Sequence, residues 1–189
     1  MTSWPHSYRH FQDLETSVGN HLLRPIAWED REPIRLWRND QIHVLRQAQP
    51  LTTSDQDRYF TDVVRPQMAM PQPPQVLWGL LEDDRLIGYG GLVHIQWADS
   101  RGEVSFLTDP ARLDPATFAS DWRTFLAMLT AIASSRLGFH KLTTETYEIR
   151  EDVIDTLESS GFQREGIHPE HHRIGNRWVA SLSHGLLLD

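Results

Sequence analysis

The sequence predicts an α/β protein of the α+β kind: one domain on a mixed, mostly antiparallel sheet of six to seven strands, flanked by about four helices. Three observations carry this expectation. The chain has 189 residues, enough for one sizeable core and too few for two domains of ordinary size. Apolar periods of two and of about 3.6 alternate along it, in the order β-α-α-β-β-β-α-β-α-β-β. Finally, the stretch Ser134–Gly166 (SSRLGFHKLTTETYEIREDVIDTLESSGFQREG) reads as a helix end, a short strand, a second helix and a Gly-Phe stop.

Residues 1–20 are polar and aperiodic and read as an N-terminal extension to a domain spanning 21–189. His21–Ile26 is a first strand, which Pro25 places at an edge because proline cannot donate to a ladder. Trp28-Glu29-Asp30 opens a helix carrying Ile34, Leu36 and Trp37. Thr52 to Asp55 cap a second, with Tyr59, Phe60, Val63 and Val64 on its buried face. Pro66 to Pro74 holds four prolines in nine residues and reads as a loop. Val76–Glu82 and Leu86–Ile95 form a hairpin about Asp83-Asp84-Arg85, and Glu103–Thr108 follows as a third strand. Within Leu86–Ile95, Gly88-Tyr89-Gly90-Gly91 precedes no helix, so it reads as a strand bend or bulge rather than a nucleotide loop.

Asp114-Pro115 starts a long helix, an N-cap followed by proline at the first helical position. Phe118, Trp122, Phe125, Leu126, Leu129, Ile132 and Leu137 make one apolar stripe along it. Gly138 closes the helix, since glycine adopts the left-handed conformation cheaply. Lys141–Tyr147 (KLTTETY) alternates as a strand, Val153, Ile154 and Leu157 share a helix face, and a final hairpin turns at Ile174-Gly175-Asn176.

The formal net charge of −8 argues against nucleic-acid or anionic-membrane partners, since phosphate neutralisation needs clustered Lys and Arg. Of the 18 basic residues only Lys141 is a lysine; arginine suits bidentate recognition of phosphate or carboxylate, and a codon bias explains the same count. With no cysteine there are no disulfides, thiolate nucleophiles or Cys-ligated metal. Neither a signal peptide nor an apolar span of membrane length is present, so a cytoplasmic location is expected.

Leu-Gly-Phe-His-Lys-Leu before the strand at 141–147, Leu-Glu-Ser-Ser-Gly-Phe after it, Leu23-Arg24-Pro25, Leu36-Trp37-Arg38-Asn39-Asp40 and Leu86-Ile87-Gly88-Tyr89-Gly90-Gly91-Leu92 resemble the GNAT superfamily of N-acetyltransferases. Leu-Arg-Pro followed by Trp-Arg-Asn is similar to the branch that acetylates sugar amines and protein N-termini. The resemblance implies the acyl-CoA N-acyltransferase fold and acetyl transfer from acetyl-CoA to a small-molecule primary amine by direct attack. The implied acceptor is an amino sugar or nucleotide sugar, with a protein N-terminus as the alternative. It implies no metal, and a homodimer paired through terminal strands. A non-catalytic binding module of the same fold is the rival from another class.

Superfamily members bind the coenzyme A pyrophosphate with an Arg/Gln-x-x-Gly-x-Gly/Ala loop leading into the long helix, using free N–H groups. The matching positions here, Thr117-Phe118-Ala119-Ser120-Asp121-Trp122, hold neither glycine. Either a remodelled loop at Phe118, Ala119 and Ser120 binds phosphate with help from Arg112 or Arg123, or the cofactor has been lost. Val104 to Thr108 matches the strand that pairs with the pantetheine arm and polarises the thioester, which makes Phe106, Leu107 and Thr108 cofactor-binding candidates. Glu103 matches a glutamate near the amine that acts as base, or else it is a sheet-edge residue paired with Arg101 or Arg85. The usual tyrosine acid is Leu157 here, and Arg150 replaces the asparagine that usually opens the same helix. Tyr147 is then the nearest phenol, either the substitute acid or a core-edge residue. Trp97, Tyr59 and His171 are the candidates for lining the acceptor pocket, Trp97 serving otherwise as a lid on the core. His168, His171 and His172 are not read as a metal set, because adjacent strand residues point to opposite faces and no ligand-spaced carboxylates accompany them.

Overall fold

Alternating and helical periods are realised as a single sheet with helices on both faces. The computed structural model describes residues 3–45 and 47–188; Met1 and Thr2 of the expected extension, and Arg46 and Asp189 of the expected domain, lie outside the described residues. The strands are β1 (Thr16–Val18), β2 (His21–Pro25), β3 (Val76–Glu82), β4 (Arg85–Gln96), β5 (Arg101–Thr108), β6 (Lys141–Tyr147), β7 (Gln163–Ile174) and β8 (Arg177–Leu187). They lie in the order β1-β2-β3-β4-β5-β6-β8-β7, one strand more than the sequence predicts, and only β5 and β6 run parallel. The helices are α1 (Arg31–Asp40), α2 (Thr53–Arg58), α3 (Arg65–Gln67), α4 (Pro115–Ser135) and α5 (Glu151–Ser159).

Local chemistry sets most boundaries. Asp83 and Asp84 both take positive φ (47° and 63°), the backbone a two-residue hairpin requires, and Glu82 then faces Arg85. Asp114 caps α4 through its side chain, accepting the Thr117 N–H at 3.0 Å, with Pro115 at the first helical position. The expected stripe on α4 is buried from Phe118 to Ile132, and Gly138 sits at φ 65° past its end.

Four expectations are corrected. The segment before residue 20 is not peripheral in packing. Tyr8 and Leu14 are each only 1% exposed, the Tyr8 hydroxyl accepts the Leu77 N–H at 2.8 Å, and the Trp78 indole donates to the Leu14 carbonyl at 2.7 Å. Its β1 pairs with β2, so Pro25 lies in an interior strand, at the end that β1 does not reach. Pro66 does not end its helix: a π-helical stretch, Tyr59–Val64, links α2 to α3, with the Arg65 N–H bonded to the Phe60 carbonyl five residues back. The wider turn accommodates a residue without an N–H, and Met68 beyond it is buried. The glycines of Gly88–Gly91 keep regular register; bulges flank them, at Ile87 and at His94–Ile95. They permit close approach instead, because a Cβ on Gly90 would strike the Ser105 carbonyl oxygen and one on Gly91 that of Val76.

Candidate active site

The sheet opens between its two parallel strands. β5 and β6 pair only at Arg101–Lys141, Gly102–Leu142 and Glu103–Thr143. Beyond Glu103 they part, while β6 stays paired with β8 along its whole length. The gap is a cleft of about 250 Å³ that passes between the two faces of the sheet, and the backbone groups of β5 on that side have no strand partner. Side chains alternate along each strand, so the cleft has two chemically different sides.

On one side stand Glu103, Glu145 and Tyr147, with His94 and the Val44-Leu45 segment. The bulge at the end of β4 holds His94 at φ 48°, which puts its Nδ1 2.9 Å from Glu103 Oε2. Neither arginine expected as a partner of Glu103 takes it: Arg101 bonds Gln96 and lies 3.7 Å from Asp99, and Arg85 pairs with Asp109. Glu145 is a cleft carboxylate that motif reasoning missed, although the alternation of Lys-Leu-Thr-Thr-Glu-Thr-Tyr sets it beside Tyr147. Its Oε1 lies 2.7 Å from His172 Nε2 and 3.3 Å from His171 Nδ1, and His171 Nδ1 is 2.7 Å from Ser181 Oγ. Two consecutive histidines reach one carboxylate because β7 carries two extra residues between His168 and His172, with Glu170 at φ 51°. The opposite-face argument therefore fails at this point, and the bulge is the reason.

On the side of α4 and α5 the walls are Phe106, Trp122, Val153 and Leu157. Phe106 stacks on Trp122 (ring centroids 4.8 Å apart) and lies against Phe125. Thr144 also lines the cleft; it is 5% exposed, and its Oγ1 is buried with no hydrogen-bond partner among the described residues. Arg150 enters from the N-terminal end of α5, and no hydrogen bond or ion pair to its guanidinium forms among the described residues. Burial pulls its pKa below the ordinary arginine value.

The long-helix residues expected to meet phosphate are placed differently. α4 begins at Pro115, so Phe118 is already bonded to the Asp114 carbonyl and Ala119 and Ser120 lie within the second turn. An N–H used inside a helix has nothing left to offer an anion. Phe118 is a core residue, Arg123 is exposed on the outer face, and Leu107 and Thr108 are buried, the Thr108 carbonyl accepting from Gln41. Arg112 is held by Asp121 through two bonds of 2.6 and 2.8 Å and by Glu82 at 2.9 Å, which raise its pKa. Arg24 of the Leu-Arg-Pro motif is likewise clasped by the buried Asp30.

Of the expected acceptor residues none lines this cleft directly. Trp97 stacks on Phe11, meets Phe139 edge-on and donates to the Pro73 carbonyl, so it caps the core at the far end of β4. Tyr59 lies in a second cavity of about 270 Å³ under α1 and α2, where Arg38 donates to the Tyr89 hydroxyl at 2.9 Å. His171 touches the cleft through Glu145.

A mixed sheet splayed at its one parallel junction, with carboxylates on one side and a long helix on the other, defines an N-acetyltransferase domain. The sequence matches the acetyltransferase (GNAT) domain family over residues 23–182, and the chain belongs to that family. No curated protein matches it significantly. Among solved structures, spermidine N-acetyltransferase from Vibrio cholerae in complex with CoA and spermine aligns with a TM-score of 0.78 at 16% identity, over 89% of this chain and 96% of that one. A dodecameric structure of spermidine N-acetyltransferase from the same organism aligns with a TM-score of 0.75 at 17% identity, over 89% and 94%. At such identities the likeness is one of fold. No helix among the described residues is long and apolar enough to cross a membrane.

Proposed function

We propose that this chain transfers acetyl from acetyl-CoA to a primary amine of a small molecule by direct attack, with Glu103 as the base. The observation that carries the reading is the cleft through the sheet, which lets an amine and an acyl donor meet from opposite sides of the β5–β6 gap. Bound acetyl-CoA supplies an acetyl group already activated as a thioester. Phe106, Trp122, Val153 and Leu157 suit its alkyl arm, and the orphaned Thr144 Oγ1 suits a polar atom of it. The unpartnered backbone groups of β5 face the place where a thioester carbonyl would be polarised. Glu103, oriented by His94, accepts the ammonium proton and frees the nitrogen lone pair for attack. Tyr147 is the one phenol lining the cleft among the described residues and the proposed proton donor to the leaving thiolate.

The acceptor face carries two carboxylates, Glu103 and Glu145, and three histidines, an environment for an ammonium group flanked by hydroxyls. An amino sugar, free or nucleotide-linked, is the acceptor we assign first. A polyamine is the second reading, since paired carboxylates also suit two amines on one chain and fold relatives include spermidine N-acetyltransferases. Self-association would use β7, an edge strand that presents Ile167 at 57% exposure, beside Trp178 of β8 at 58%.

Free-thiol release from acetyl-CoA, with amino sugars, spermidine and a peptide offered in parallel, tests the reading and ranks the acceptors. Glu103→Gln should lower turnover by roughly two to four orders of magnitude with acetyl-CoA affinity unchanged. Turnover near wild type would remove Glu103 from the mechanism.

A further inference from the structure

We infer that Arg150, at the N-terminal end of α5, recognises the cofactor's pyrophosphate in place of the N-terminus of α4. This assignment rests on the acetyl-CoA reading above and concerns which end of the cleft holds the charge.

The α4 terminus is closed to anions by the chain's own anions. Asp114 occupies the Thr117 N–H, Asp109 occupies the Ala111 N–H at 3.0 Å, and Asp121 lies one turn further on. The arginine nearest to them, Arg112, is saturated by Asp121 and Glu82. A diphosphate arriving there would meet carboxylates and find neither a free guanidinium nor open first-turn N–H groups.

Arg150 presents the opposite situation. Arg150 lines the cleft, is partly withdrawn from water, and its guanidinium has no bonded partner among the described residues. Asp152 and Tyr147 act on it only at a distance, and Glu151 and Asp152 of the first turn of α5 are exposed and do not bond it. Taking a cation from water without pairing it is unfavourable, so such a group fits a site completed by an anionic ligand. No side chain caps α5, so no capping group competes with a ligand at the same end. A second polar atom also awaits a partner: Thr144 Oγ1 is buried on the same cleft. Arginine's planar fork matches phosphate oxygens two at a time.

A diphosphate could come from coenzyme A or from a nucleotide-linked acceptor, and truncated donors separate the two. Calorimetric titration of wild type, Arg150→Gln and Arg150→Lys with acetyl-CoA, S-acetylpantetheine and a nucleotide-linked amino sugar is the test. Loss of one charge-assisted contact should weaken acetyl-CoA binding by about ten- to a hundredfold in Arg150→Gln, and less in Arg150→Lys. Affinity for S-acetylpantetheine, which has no diphosphate, should not change. Unchanged acetyl-CoA affinity, or equal weakening for both donors, overturns the assignment. So does weakening confined to the nucleotide sugar, which would give the diphosphate to the acceptor. Wild type that binds neither donor removes the acetyltransferase reading and this assignment together, whereas binding retained in Arg150→Gln removes only the assignment.

Discussion

The N-termini of α4 and α5 are built on opposite plans. At α4 every favourable group is used internally: Asp114 caps the helix, and Arg112 bridges Asp121 and Glu82. At α5 no side chain caps the helix, its first-turn Glu151 and Asp152 are exposed, and among the described residues Arg150 and the nearby Thr144 hydroxyl have no bonded side-chain partner. The first arrangement stabilises the fold and the second is costly until a ligand completes it. An anion site is therefore better sought where positive groups lack partners than where a glycine pattern once placed them.

This contrast separates stability from binding. Arg112→Leu strands the Asp121 carboxylate, which is 2% exposed, and breaking such a pair costs about 3–5 kcal/mol. Urea unfolding should show that loss, while the folded variant still binds acetyl-CoA. A loss of affinity at preserved stability would return the phosphate to α4.

Thr144→Val replaces an unsatisfied hydroxyl with a methyl group of the same shape. The free protein should gain stability, by up to about 1–3 kcal/mol if the desolvation is fully relieved, and lose affinity for both acetyl-CoA and S-acetylpantetheine. Lower stability in thermal unfolding of the free variant would mean that the hydroxyl has a partner in the unliganded protein.

The smallest effect is acid titration of the α4 cap. The Thr117 N–H bonds the charged form of Asp114 and holds its pKa below the ordinary aspartate value. A depressed folded pKa gives stability that is complete above the ordinary value of about 3.9 and fades as pH falls through the folded one. Melting temperature should decline less steeply below that pH in Asp114→Asn than in wild type; parallel curves would leave the cap without a role.

Much of the fold was legible because its signals are local. Asp83-Asp84, Asp114-Pro115, the alternation of 141–147 and the Gly161-Phe162 stop each act within a few residues, and each marks the element that forms. What was not legible depends on distant partners. Tyr8 and Leu14 carry no period, and their burial is decided by Leu77 and Trp78, more than sixty residues away in the chain. Pro66 stays in a helix because the backbone widens one turn earlier. In the site, Glu103 and Tyr147 were named from the family resemblance and do line the cleft, whereas Glu145 gains its neighbours only through a bulge in β7. Arg150 was visible as a departure from the family pattern, but its lack of a partner is a property of three dimensions.

The central claim is that a chain without the glycine loop still binds acetyl-CoA in the cleft between β5 and β6. Thermal unfolding with and without millimolar acetyl-CoA tests it, because a ligand bound only to the native state at about 100 times its dissociation constant adds about 2.7 kcal/mol. For a domain of this size that is a rise of roughly 5–10 °C in melting temperature, and this is the expected result. No shift at millimolar ligand, with no heat of binding in calorimetry, would contradict the account and leave a non-catalytic binding module in its place.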